Sequence, residues 1–184
     1  MNTMQKKDWE KDAPHPAAYH CCEARRGREF ILRLNTGADP ILAIQAFAGE
    51  NNIRFGKVHA AFMGGFSPAK FLVWSPDSRD PENWHHESAA CIENLSMLLA
   101  LGGMIGIRKN HEGEEEAFVA MHFVTGGAWD VPTTGGHLVE GTRIKGAMEF
   151  YVTEILGIDV LLPEIDPYHI AHTFPENWYQ PKEG

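Results

Sequence analysis

The chain has 184 residues, of which 43% are hydrophobic and 22% charged, so it can bury one sizeable core and is neither disordered nor fibrous. Its formal net charge of −9 repels phosphate backbones at long range, which argues against a free-standing nucleic-acid binder while leaving room for a local basic patch. Three cysteines, Cys21, Cys22 and Cys91, are an odd set with an adjacent pair, which fits a reducing compartment better than a disulfide framework. Residues 1–16 are charged and lack the apolar stretch of a secretory signal. The longest apolar run, residues 95–107, holds three glycines and is too short to span a bilayer. A cytoplasmic protein without membrane contact is expected.

In chain order, residues 1–26 read as a polar N-terminal arm with Pro14, Pro16 and the basic pair Arg25-Arg26. Residues 29–34 (EFILRL) predict a first strand. Thr36-Gly37 turns the chain, and Asp39-Pro40 supplies an N-cap followed by proline at the first helical position. Ile41, Leu42, Ile44 and Phe47 then give an amphipathic stripe that ends near residues 49–52. Residues 55–63 predict a strand rich in small side chains, leading to Gly64-Gly65. Residues 69–75 (AKFLVWS) alternate as a strand, residues 76–83 read as a polar loop, and residues 84–92 as another strand. Residues 95–107 predict a buried strand with a glycine kink. An acidic turn (NHEGEEE, 110–116) leads to a clear strand at 117–125 (AFVAMHFVT). A loop then reaches GGHLVEG at 135–141, and residues 143–155 (RIKGAMEFYVTEI) close the core.

The tail, residues 159–184, has four prolines and is expected to wrap the surface or a neighbouring subunit. No internal repeat is present. Many strands and one long helix indicate an α+β domain, a mostly antiparallel sheet of about seven strands with one long helix and one or more short ones. No P-loop, G-x-S-x-G, H-E-x-x-H or dinucleotide fingerprint is present, so the common nucleotide and hydrolase chemistries have no support.

The order of these features resembles the PPC (DUF296) domain, conserved in plants and prokaryotes. TGADP opening a helix, the small-residue strand KVHAAFMGGF, the pair AFVAMHFVT and GGHLVEG, and the closing strand RIKGAMEFYVTEILG carry the resemblance over roughly residues 28–158. It implies a small α/β domain at residues 27–158 that forms homotrimers, flanked by the arm and the tail. In plants such domains follow AT-hook DNA-binding motifs; in bacteria and archaea they usually stand alone and are often called DNA-binding. The fold is also similar to that of acetolactate decarboxylase, a zinc enzyme with histidine ligands.

His122 and His137 are the first candidates for a site. A hairpin symmetric about Trp129 and Asp130 sets them directly opposite, on one face, with Cβ atoms roughly 5 Å apart. Two imidazoles at that separation reach one divalent ion, with Zn²⁺ the cofactor in view. Zinc takes three protein ligands in catalytic sites. In the family that PPC resemblance points to, a further histidine commonly stands two places before the one matching His122; Ala120 occupies that place here. His59, Glu140 or a group from another subunit are the substitutes. Residues 137 and 139 share a face and 140 does not, which counts against Glu140. The competing reading of both histidines is a hydrogen-bonded core or interface role.

Gly135 and Gly136 allow a positive φ or the close approach of another chain, at an interface, a ligand pocket or a loop end. Arg143 is placed to meet an anionic ligand or an exposed ion-pair partner. Arg25-Arg26-Gly27-Arg28 lacks the proline of an AT-hook and reads as a solvated strand entry. His20-Cys21-Cys22 has no metal spacing, His85-His86 points to opposite faces, and Cys91 is expected to be a small buried residue. His169 and His172 would share a helix face but read as tail packing. Three functions follow: a homotrimeric binding or assembly module, a metal-dependent small-molecule binder or lyase-like enzyme at His122 and His137 that polarises a carbonyl, and a DNA-associated regulator.

Overall fold

The computed structural model describes residues 23–62, 64–75, 86–126, 133–160 and 179–181. Its one described helix, α1 (Pro40–Glu50), begins as the sequence predicts. Asp39 is the N-cap, with its Oδ1 accepting from the backbone N–H of Ile41 at 3.0 Å and of Leu42 at 3.3 Å, and Pro40 opens the first turn. Ile41, Ile44 and Ala48 face inward and are buried. The helix ends where the Asn51 side chain donates to Phe47 O at 2.9 Å, and Asn52 takes a positive φ of 54°.

The strands are β1 (Arg25–Leu34), β2 (Gly56–Phe62), β3 (Gly65–Phe66), β4 (Ala69–Ser75), β5 (His86–Ile92), β6 (Ser96–Lys109), β7 (Glu115–Gly126), β8 (Thr134–Leu138), β9 (Ile144–Lys145), β10 (Met148–Leu156), β11 (Ile158–Val160) and β12 (Tyr179–Pro181). Among the described residues they form a 10-stranded antiparallel sheet whose main path runs β1, β10, β2, β6, β7, β8, β4, β5, with β3 and β9 beside it; β11 and β12 make a separate ribbon.

The pleat sends alternate side chains to opposite faces. One face, with Val58, Ile105, Met121, Phe123, Phe150 and Val152, packs against α1 and the short β3 to form the main core. Phe123 meets Phe66 and Phe71 edge-to-face, with ring centroids at 5.6 and 5.2 Å. The other face has no helix over it among the described residues. Ile31, Met97, Val124 and Tyr151 lie on that open face and are exposed.

The sheet has more strands than the seven expected, because residues 143–155 do not form one strand. Gly146, at φ 80°, turns the chain, leaving β9 to pair with β3 and β10 to pair with β1 and β2. The strand at 95–107 is not buried on both faces: Met97 is 43% and Leu99 63% exposed, since only its core face meets α1 and its neighbours. β1 starts at Arg25, so two residues assigned to the arm belong to the sheet. No second helix is present among the described residues. Cys91 is exposed rather than buried, because it lies on the outer strand β5, where its thiol donates to the Glu93 carboxylate. The loop at 76–83, Trp129 and Asp130, His20-Cys21-Cys22, His85, and His169 and His172 lie outside the described residues.

Candidate functional site

β7 and β8 carry the central feature. They pair antiparallel with His122 opposite His137, and the two rings face each other with centroids 5.0 Å apart and planes inclined at 74°. His122 is exposed and His137 half-buried. Burial lowers the His137 pKa below the usual imidazole value, and the charge that His122 can carry lowers it further. Both effects favour the neutral ring that a metal or a hydrogen-bonding ligand requires.

GGHL has a local physical cause. Neither Gly135 nor Gly136 takes a positive φ, and neither is a loop end. A Cβ on Gly135 would lie 1.9 Å from the Phe123 carbonyl oxygen of β7, and one on Gly136 would lie 2.3 Å from the Leu72 carbonyl oxygen of β4. The two glycines thus let β8 fit between β7 and β4, which sets His137 in register with His122 on one side and Leu72 on the other. The close approach allowed by the sequence comes from strands of the same chain.

Register carries the same row further. Ile31, Tyr151, His59, Gly102, His122, His137, Leu72 and Ala89 stand side by side across the sheet, on the open face. His59 therefore shares a face and a row with the pair. Gly102 lies between His59 and His122, with nothing within 4 Å of the place a Cβ would take. Strands lie about 4.8 Å apart, so His59 is about 10 Å from His122 and about 14 Å from His137 along the row. One ion held at about 2.0–2.1 Å by each nitrogen cannot take all three on a sheet of that spacing. Among the described residues no group of three or more His, Cys, Asp or Glu side chains is placed to hold an ion. Ala120 sits on the open face two residues before His122, where a histidine would have faced the same space. Among the described residues the site has two imidazoles and no third donor of a catalytic zinc site.

The other site candidates lie apart. β8 ends at Leu138, and Glu140 is an exposed turn residue just before Gly141 (φ 90°). Arg143 does not point to a ligand: its guanidinium donates to Asp39 Oδ2 at 2.7 Å, and Gly141 N donates to the same oxygen at 2.7 Å. The helix cap and the GGHLVEG turn are thereby tied through one carboxylate. Sequence reasoning recognised Asp39 and Arg143 separately and missed their pairing, for which residues 102 or more positions apart give no local signal. Two arginines of the basic run are likewise occupied. Arg26 pairs with Glu29, and Arg28 donates to both Glu154 carboxylate oxygens at 2.8 and 2.9 Å. These contacts hold the Glu154 carboxyl below its usual range.

The family model for the Plants and Prokaryotes Conserved (PCC) domain matches residues 22–156. The chain belongs to that family. No curated protein matches it. Among solved structures, a plant- and prokaryote-conserved protein from Pyrococcus horikoshii is 17% identical with a TM-score of 0.64, over 82% of this chain and 94% of that one. A metal-containing protein from Archaeoglobus fulgidus is 20% identical with a TM-score of 0.63, over 82% and 96%. A protein described as a candidate DNA-binding protein from Bacteroides thetaiotaomicron is 16% identical with a TM-score of 0.53, over 74% and 87%. At these identities the likeness is one of fold, and the PCC domain here is the mostly antiparallel sheet with one helix. Among the described residues no helix is long and apolar enough to cross a membrane.

Proposed function

We propose that this PCC protein is a self-assembling binding module, a homotrimer that buries the open sheet face between copies around the row of histidines. The observation that carries the reading is the exposure of large apolar side chains on a face with no helix over it among the described residues: Ile31 is 68% exposed, Tyr151 44% and Val124 41%. Apolar side chains grouped on one face of a soluble domain mark a contact surface. Light scattering on the purified full chain tests it. The expected result is a mass three times that of the 20.6 kDa chain, and a mass equal to one chain refutes the reading.

A second reading, a metal or small-molecule site at His122 and His137, is favoured by the facing rings. With two donors among the described residues, Zn²⁺ would need a third, for which a partner subunit or a ligand is the source proposed. Metal analysis of protein made without a polyhistidine tag, compared with His122→Ala, decides it. Stoichiometric zinc lost in the variant is the expected result, and absence of zinc from both ends the proposal. DNA association has the least support. The chain carries a net charge of −9, and Arg26 and Arg28 are already paired with carboxylates. A phosphate-binding mode would show as duplex binding that weakens steeply with salt.

A further inference from the structure

The strand register leaves a gap in the histidine row. His59 on β2 and His122 on β7 stand on either side of Gly102, and nothing lies within 4 Å of the place a Gly102 Cβ would take. Both histidines are exposed. Lys57 comes two residues before His59, and Val58 between them is buried in the core, so Lys57 and His59 share the open face. Lys57 is in register with Met104, two residues from Gly102. Its Cβ is therefore diagonal to the gap at roughly 7 Å, within reach of a four-carbon stem. Glu29, Glu116 and Glu149, carboxylates of the same face, are each paired with an arginine. Lys57 has no carboxylate partner among the described residues, on a chain whose overall charge is −9.

The width of the gap selects the ligand. Two metal–nitrogen bonds of about 2.0–2.1 Å span only about 4 Å, far less than the roughly 10 Å that separates β2 from β7. Two N–H···O hydrogen bonds of about 2.8 Å, with an oxyanion between them, span roughly 8 Å, which two rings inclined over a floor without a side chain accommodate. We propose that the gap over Gly102 binds an oxyanion, the carboxylate or phosphate group of a small molecule, between His59 and His122 and beside the Lys57 ammonium. Each imidazole donates one N–H to an anion oxygen, and Lys57 supplies the opposing charge with a charge-assisted hydrogen bond. Gly102 and His137 flank His122 on opposite sides in the row, so the gap is distinct from the space between the paired rings. The site shares His122 with that pair but rests neither on a metal nor on the number of copies.

An NMR titration of the full 184-residue chain, stripped with EDTA and held at neutral pH and fixed ionic strength, tests the assignment through the Gly102 amide and the His122 ring resonances. The probes are inorganic phosphate, acetate and the neutral isostere acetamide. At least one of the two anions is expected to shift both resonances saturably and to bind at least roughly tenfold more tightly than acetamide. The tighter of the two identifies the natural group as a phosphate or a carboxylate. Lys57→Gln and His59→Ala replace exposed side chains and should each weaken that anion by roughly five- to tenfold at an unchanged melting temperature. Gly102→Leu places a side chain in the open space of the gap and should abolish binding, read at the His122 ring, with the fold intact. Acetamide binding as tightly as both anions, or anion binding unaltered in the Lys57→Gln/His59→Ala double variant, would overturn the assignment. Zinc content and light-scattering mass report on the metal and assembly readings separately, so neither failure is mistaken for this one.

Discussion

Gly135→Ala is the most informative single substitution in the domain. The added methyl would sit 1.9 Å from the Phe123 carbonyl oxygen and 3.0 Å from Val124 Cα, both backbone atoms of β7. Real Cβ atoms essentially never come within 3.0 Å of such a neighbour, so β8 must retreat from β7 by more than an ångström. No side chain can rotate to relieve the clash. Overpacking in a closed site costs typically about 1–3 kcal/mol, and here the movement also strains the ladder that pairs Phe123 with Gly136 and Thr125 with Thr134. We expect a loss of about 3 kcal/mol in urea-induced unfolding, with the His122 and His137 rings driven apart. Gly102→Ala is the matched control. It lies in the histidine row, beside His122, yet nothing stands within 4 Å of the new methyl, so the change should be neutral or stabilising by about 0.5 kcal/mol. NMR contacts between the two imidazoles provide the structural readout. If Gly135→Ala unfolds at the wild-type denaturant midpoint, or if Gly102→Ala is equally harmful, the account of GGHL as a strand-spacing device is wrong.

Asp39→Ala removes the N-cap and strands both Gly141 N and the Arg143 guanidinium; a cost of about 2–4 kcal/mol is expected by chemical denaturation, well above that of an ordinary cap. His137 should titrate below the usual imidazole value in a proton NMR titration, and His122→Ala should raise it by removing the neighbouring charge. Because its pKa is lowered on folding, the unfolded chain binds more protons near pH 6, so stability should fall as pH drops through the unfolded value of about 6.5 and level off below the folded one. The Glu154 carboxyl is also lowered, by Arg28, and adds a separate loss at more acidic pH that Arg28→Gln should abolish. Ile31→Lys together with Val124→Lys should shift the light-scattering mass towards one chain while preserving the circular dichroism spectrum.

Local signals were legible in the sequence and non-local ones were not. The cap at Asp39-Pro40, the alternating strand at 69–75 and the pairing of His122 with His137 all depend on residues close in the chain or on a symmetric hairpin, and the structure has each of them. The burial of β6 is not legible because a long apolar run reads as a strand covered on both faces, whereas its open-face positions, Met97 among them, have only solvent or a partner to meet. Gly146 reads as part of a strand in the sequence, although it supplies the turn that makes β9 and β10 separate elements. The exposure of Cys91 depends on β5 being an outer strand, and strand order is a tertiary property.

The same distinction bears on the site itself. Period-2 alternation identifies which face His59 occupies but not which strand lies between it and His122. That strand is β6, and its residue in the row is Gly102, so the third histidine shares the row without reaching the pair. Ala120 and Gly102 thus leave open two places next to His122 from which a further side chain could have joined it. An exposed imidazole and a half-buried partner with a lowered pKa, with Ala120 and Gly102 beside them, make a surface site that the described residues of one chain leave open. Whatever completes it must approach from the open side, the same side on which Ile31, Val124 and Tyr151 present apolar surface. Assembly and ligand binding are therefore expected to be coupled: a substitution that separates the copies should also weaken whatever the two histidines hold, and one that removes His122 should leave the copies together.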